Sequence, residues 1–208
     1  DGPGNRLVYH LSGCNLCCTW CSNPEGLKRT ASATSISVKE LLKEAEGSKM
    51  IFIDGGGVTF TGGEVSLQKE AVLNAVKELK KRNISTCIET NASLPLCEDL
   101  FSEVDYMIAD YKSPDKEKLK KFTNAELNVI ENNLLYRAST GKPLLVRIPL
   151  VNFFNCSCED FDRFVIFFKS LKEKSNNNNL QFEILTYHEF GKEKYDTIGL
   201  KYTVTDGF

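Results

Sequence analysis

The stretch Val58-Thr59-Phe60-Thr61-Gly62-Gly63-Glu64 closes an apolar, β-rich run, Met50–Phe60, broken by Gly55-Gly56-Gly57. Immediately after it, Leu67–Lys81 changes period. Ala71, Val72, Ala75, Val76 and Leu79 fall on one face at helical spacing. A second β-rich run, Ile84–Glu89, follows. Strand, helix and strand in that order form a βαβ unit, and its strands are parallel.

The same alternation extends in both directions. Apolar runs recur at Leu7–Leu11, Val104–Asp110, Leu144–Leu150 and Leu180–Thr186, making six with the two above. Helical stretches lie between them at Val38–Glu46, Leu94–Phe101, Asp115–Ala138 and Glu159–Lys174. Six units are fewer than the eight that close a full barrel. The expected fold class is therefore α/β, a partial, open (β/α)6 barrel of TIM type, with all 208 residues in one domain. The polar tract 176–179 is expected to be an exposed turn before the last strand.

In parallel α/β architectures, chemistry gathers at the C-terminal ends of the strands. The unusual residues of this chain fall there. A cysteine cluster follows the first run, Thr61-Gly62-Gly63-Glu64 the second, and Glu89-Thr90-Asn91 the third. Asp110-Tyr111-Lys112 follows the fourth, Arg147 lies within the fifth, and Tyr187-His188 follows the sixth.

Apolar residues make up 41% of the chain and charged residues 26%, with a net charge of −2 and both signs mixed. That is ordinary globular usage, without a basic stripe for nucleic acid or a basic helix for a membrane surface. No apolar run approaches the ~20 residues needed to cross a bilayer. Asp1-Gly2-Pro3-Gly4-Asn5 lacks a secretion signal's apolar core. A cytoplasmic monomer is expected.

Eight cysteines depart from this plainness, and Cys14, Cys17, Cys18 and Cys21 fall within eight residues. In a reducing compartment a tight cluster reads as metal-binding or redox-active rather than as a disulfide framework. Cys14-x3-Cys18-x2-Cys21 can offer three thiolates to a cubane iron–sulfur cluster and leave one iron open. Spacing also permits a zinc site, or the register Cys14-x2-Cys17-x3-Cys21. Cys17 is taken as a buried packing or second-shell thiol, free cysteines being among the most buried residues. Cys156-x-Cys158 is too isolated to be a second metal site.

The other candidates have plain readings beside the functional ones. Gly62-Gly63 allows close backbone approach and positive φ, and Glu64 can orient an ammonium; alone, the motif is also an ordinary strand-to-helix turn. Asp110 and Lys112 share one face of a strand and could meet one ligand, or form a surface pair. A lone His such as His188 is often structural, and His10 is read as core or second shell. Arg147 can hold a carboxylate through its planar fork.

Taken together, these motifs resemble the radical-SAM enzymes that activate glycyl-radical enzymes. The resemblance rests on Asp1-Gly2-Pro3-Gly4-Asn5-Arg6, on Gly13-Cys14-x3-Cys18-x-Trp20-Cys21-Ser22-Asn23-Pro24-Glu25, and on Gly55–Glu64. It continues through Thr86–Asn91, Asp110-Tyr111-Lys112 and Leu185–Gly191 with Tyr195, covering nearly the whole chain. It implies a 4Fe-4S cluster on Cys14, Cys18 and Cys21, and so selects the Cys18 register. It further implies an S-adenosyl-L-methionine site drawn from Trp20, Ser22, Gly62, Gly63, Glu64, Asp110, Lys112, Arg147 and His188. The implied reaction is reductive cleavage of S-adenosylmethionine to a 5′-deoxyadenosyl radical, which installs a glycyl radical on a partner enzyme. The implied partners are that glycyl-radical enzyme and a flavodoxin- or ferredoxin-type electron donor. A radical-SAM enzyme acting on a small molecule or another peptide, and a non-catalytic metal-binding interaction module, are the alternatives.

Two departures stand out. Val65 replaces a frequent Pro, and Asn152-Phe153-Phe154-Asn155-Cys156-Ser157-Cys158 replaces a Pro-Gly followed by an Asp-rich turn. The 40 residues between Cys21 and Gly62 hold no cysteine, so no ferredoxin-like insert is expected there.

Overall fold

The computed structural model describes residues 1–28, 33–175 and 179–204. Six strands, β1 Arg6–Leu11, β2 Gly57–Gly62, β3 Ser85–Thr90, β4 Tyr106–Asp110, β5 Leu144–Leu150 and β6 Leu180–Thr186, form one sheet in sequence order. Every neighbouring pair is parallel, and β1 does not pair with β6, so the barrel stays open. The βαβ reading of the sequence is the observed architecture.

Helices α1 Val38–Gly47, α2 Lys69–Lys81, α3 Glu98–Glu103, α4 Lys116–Thr123, α5 Leu127–Ser139, α6 Asn152–Asn155, α7 Cys158–Lys174 and α8 Lys192–Thr197 occupy the crossovers and the end. Local chemistry sets several of their ends. Ser37 and Glu40 close a capping box on α1, as Ser157 and Asp160 do on α7. The predicted apolar face of α2 is buried, through Val72, Ala75, Val76 and Leu79.

The sequence reading needs three adjustments. Met50–Phe60 is not one strand: Lys49–Ile51 is a 3-10 turn, and pairing begins only at Gly57. Asp54, whose φ is +53°, with Gly55 and Gly56 makes a turn there instead. Asp115–Ala138 is two helices, because Asn124 adopts the left-handed conformation and stops α4. His10 is exposed rather than core, since β1 borders the open seam. The tract at 176–178 lies outside the described residues.

Arg137 was not singled out by its sequence. It is fully buried in α5 and donates to the carbonyls of Phe101, Val104, Asp105 and Pro143. These lie just before β4 and β5, so one side chain ties together the face remote from the strands' C-terminal ends. Burial lowers its pKa to about 10. Among the described residues, no helix is long and apolar enough to cross a membrane.

Candidate active site

The C-terminal ends of the six strands, or the segments that follow them, line one cavity of about 270 Å³. Cys14, Cys18, Trp20, Cys21 and Ser22 come from the loop after β1, and Gly62 and Gly63 from the end of β2. Asp110 ends β4 and Lys112 follows it, Arg147 comes from β5, and His188 from the segment after β6. Of the twelve predicted site residues, eleven line this space, and Glu64 does not.

The two glycines let the cysteine loop approach β2. Gly62 has φ +106°, and a Cβ on Gly63 would sit 2.0 Å from the Gly13 carbonyl oxygen. Across that contact, Gly63 N–H donates to Leu11 O at 2.8 Å and Glu64 N–H to Gly13 O at 2.7 Å. Gly13 N–H and Cys14 N–H in turn donate to the carbonyls of Gly26 and Leu27.

Glu64 is buried beside the cavity rather than lining it. Its Oε1 accepts from Ser66 N–H at 2.9 Å and from the Thr90 hydroxyl at 2.6 Å, and its Oε2 from Asn91 N–H at 2.8 Å. The carboxylate is satisfied by neighbouring backbone and hydroxyl donors, as a buried charge requires. Through it, Asn91 is placed with Nδ2 3.8 Å from Cys14 Sγ and 3.1 Å from Asn15 Oδ1.

Asp110 and Lys112 behave as the strand alternation foretold. Lys112 Nζ donates to Asp110 Oδ2 at 2.6 Å, and both line the cavity. Tyr111 between them points the other way, into Phe164 and Phe167, with its hydroxyl on Glu131. Burial works against the Lys112 charge, but Asp110 and the nearby Cys18 hold its pKa above the ordinary lysine value.

Arg147 holds carboxylates through its fork, as its chemistry suggested, but they belong to this chain. Nη1 donates to Glu89 Oε1 and Nε to Glu183 Oε2, each at 2.8 Å. Glu89 Oε2 also accepts from the Thr61 hydroxyl at 2.6 Å. The result is a chain of contacts from β2 through β3 and β5 to β6. Thr61, Glu89, Thr90, Asn91 and Tyr187 all line the cavity and were not among the predicted site residues. Their signal was position at strand ends, which the sequence showed without saying which way each side chain pointed.

Cys17 corrects another expectation. It is exposed, outside the cavity, with its N–H on Thr123 O at 3.2 Å. Cys14, Cys18 and Cys21 are the three cysteines that line the cavity. Among the described residues no group of three or more His, Cys, Asp or Glu converges on a single-ion site. Three thiols lining a common cavity are the soft sulfur donor set that iron–sulfur centres take.

The thiols' electrostatics point the same way. Burial raises all three, Cys18 to about 12, and Lys112 only partly opposes this. A cationic centre that takes the place of the protons would relieve that cost. The residues therefore fit an iron–sulfur cluster. Polar groups beside it suit a charged nucleoside ligand: Lys112 uses one of its three donors on Asp110, and buried His188 Nδ1 has no hydrogen-bond partner.

With that geometry established, the comparisons decide the family. The profile of the Radical SAM superfamily matches residues 8–165. This chain belongs to the radical SAM superfamily. The family uses a 4Fe-4S cluster and S-adenosylmethionine. The chain is 31% identical over 215 residues to the pyruvate formate-lyase-activating enzyme of Staphylococcus aureus, across 99% of this chain and 84% of that one.

Solved radical SAM structures share the fold at lower identity. SuiB of Streptococcus suis bound to S-adenosylmethionine superposes with a TM-score of 0.66 at 17% identity, over 88% of this chain and 39% of SuiB. A domain of pyruvate-formate lyase-activating enzyme from Bacteroides vulgatus gives 0.52 at 22% identity, over 73% of this chain and 99% of that domain. The chain thus spans well under half of SuiB and most of the curated activating enzyme.

Proposed function

We propose that this chain is a radical SAM activating enzyme that cleaves S-adenosylmethionine reductively and installs a glycyl radical on a partner protein. The carrying observation is that Cys14, Cys18 and Cys21, but not Cys17, line one cavity with Gly62, Gly63, Asp110, Lys112 and His188. Near full-length likeness to an activating enzyme supports the choice of a protein substrate.

In this reading Cys14, Cys18 and Cys21 are the residues that would hold the cluster. When bound, the cluster and S-adenosylmethionine supply a one-electron cleavage of a carbon–sulfur bond and an adenosyl radical able to remove a hydrogen atom. The chain's own residues bind, orient and keep water out. The backbone at Gly62-Gly63 brings the β2 end close to the cysteine loop. Lys112, held by Asp110, offers its remaining donors to an anionic group, and His188 and Ser22 lie at the cavity wall for the nucleoside. Trp20, packed 4.5 Å from Phe154, screens the cysteine loop from solvent. The open seam between β1 and β6 admits a peptide segment of the partner. An external low-potential protein of the flavodoxin or ferredoxin class delivers the electron.

The experiment is anaerobic reconstitution with iron and sulfide, then S-adenosylmethionine, reductant and a candidate glycyl-radical enzyme. Broad thiolate-to-iron absorption, release of methionine and a glycyl radical signal by electron paramagnetic resonance are expected. Methionine release without a protein radical, on every plausible partner, would move the reading to a small-molecule or peptide substrate. A colourless zinc-loaded protein would remove the cluster.

A further inference from the structure

We infer that the electron enters through the C-terminal end of α4, and that this face docks an acidic one-electron carrier protein. The inference rests on the radical SAM reading above, which requires an electron donor, and adds where that donor binds.

Two contacts lead from the cavity to this face. Cys18 lines the cavity; its neighbour Cys17 is exposed and donates its N–H to the carbonyl of Thr123, the last residue of α4, at 3.2 Å. Trp20 also lines the cavity, and its ring lies 6.4 Å from Phe122 and 6.2 Å from Phe153. Phe153 is 40% exposed, so the aromatic cluster reaches solvent beside the α4 end. From that surface to the Cys18 thiol there intervenes one hydrogen bond and one peptide unit.

The charge of this face selects the partner. In a chain of net charge −2, α4 carries Lys116, Lys118, Lys120 and Lys121 against the single Glu117. Lys118 is tied to buried Asp160. Lys120 and Lys121 stand exposed in the last turn, Lys120 in a surface pair with Glu126 and Lys121 with Nζ 5.1 Å from the Phe122 ring centroid. Exposed pairs contribute little and exchange readily, so both lysines are available to an incoming carboxylate surface. Basic residues flanking half-exposed aromatics match a donor whose acidic rim surrounds a flat redox group. In the transfer the carrier is oxidised by one electron and the iron–sulfur centre reduced by one, with no atom or proton exchanged.

The test uses an acidic flavodoxin as probe, with two double variants of the whole chain. K120E/K121E reverses the α4 face; K43E/K77E makes the same change of charge on exposed positions of α1 and α2. Binding of oxidised flavodoxin is read by fluorescence anisotropy, at low salt and at 0.3 M salt. We expect K120E/K121E to weaken binding at least tenfold at low salt and to remove most of its salt dependence, with K43E/K77E within about twofold of the native chain. Methionine release driven by dithionite, a small reductant needing no docking face, stays at the native level in both. Equal weakening by the two variants, no weakening by K120E/K121E, or no flavodoxin binding by the native chain overturns the inference. Failure of dithionite to release methionine from the native chain would instead count against the radical SAM cleavage itself.

Discussion

The Glu64 carboxylate accepts the Asn91 N–H at 2.8 Å, and Asn91 Nδ2 reaches 3.8 Å from Cys14 Sγ. A residue from the end of β2 thus braces the end of β3 against the cysteine loop. Within the Gly62-Gly63-Glu64 turn, the two glycines line the cavity and the carboxylate braces the layer beneath it.

Glu64→Ala leaves the Asn91 and Ser66 N–H groups and the Thr90 hydroxyl without their acceptor in a buried setting. At about 1–3 kcal/mol for an unsatisfied buried group, partly relieved by water, the expected loss is about 2–4 kcal/mol. Urea unfolding of the metal-free chain measures it directly. A loss below about 0.5 kcal/mol would mean that the brace is dispensable.

The two cysteine registers separate cleanly. Cys18→Ala removes a cavity thiol and is expected to abolish iron uptake on reconstitution. Cys17→Ala removes an exposed thiol outside the cavity and is expected to retain iron close to the native level. Iron analysis with visible absorption decides between them, and the reverse pattern would put Cys17 in the site.

The fold was legible in the sequence because the alternation of period 2 and period 3.6 survives single-residue noise over six units. Site residues at strand ends were legible for a related reason: the alternation carried just past the end of β4 puts Asp110 and Lys112 on the cavity side and Tyr111 opposite. What escaped was set by contacts distant in sequence. Nothing near Glu64 shows that Asn91 will cover it, and Arg137 in an otherwise ordinary helix gives no hint of the four carbonyl groups it binds. Cys17 escaped because residue type predicts average burial, whereas its exposure follows from the turn that carries Cys14, Cys18 and Cys21 inward.

Glu89 is expected to act as a positioning residue for Arg147. Its two oxygens hold Arg147 Nη1 at 2.8 Å and the Thr61 hydroxyl at 2.6 Å. Glu89→Gln keeps the shape and removes the charge, leaving the guanidinium with Glu183 at 2.8 Å and Asp1 at 4.0 Å as its ionic partners. S-adenosylmethionine affinity should fall about tenfold, or about 1.4 kcal/mol, with iron content unchanged. Calorimetric titration of the reconstituted protein reads this; an unchanged affinity would make the pair purely a strut between strands.

Asp160 gives a pH-dependent prediction away from the cavity. Burial alone would raise its pKa, but hydrogen bonds from Lys118, at 2.7 and 2.9 Å, and from Ser157 outweigh burial and hold it below the usual carboxylate range. A carboxyl depressed in the folded state contributes stability that is fully present above its unfolded value of about 3.9. That contribution is lost as pH falls through the lower folded value. Asp160→Asn should therefore cost about 1–2 kcal/mol at neutral pH, since Lys118 is partly exposed and the Ser157 cap is weakened. Between about pH 4 and the folded value the gap between the two proteins should narrow. Urea midpoints of both proteins across pH 2.5–7 test it, and a gap that stays constant through the acid range would show that the Asp160 charge contributes nothing.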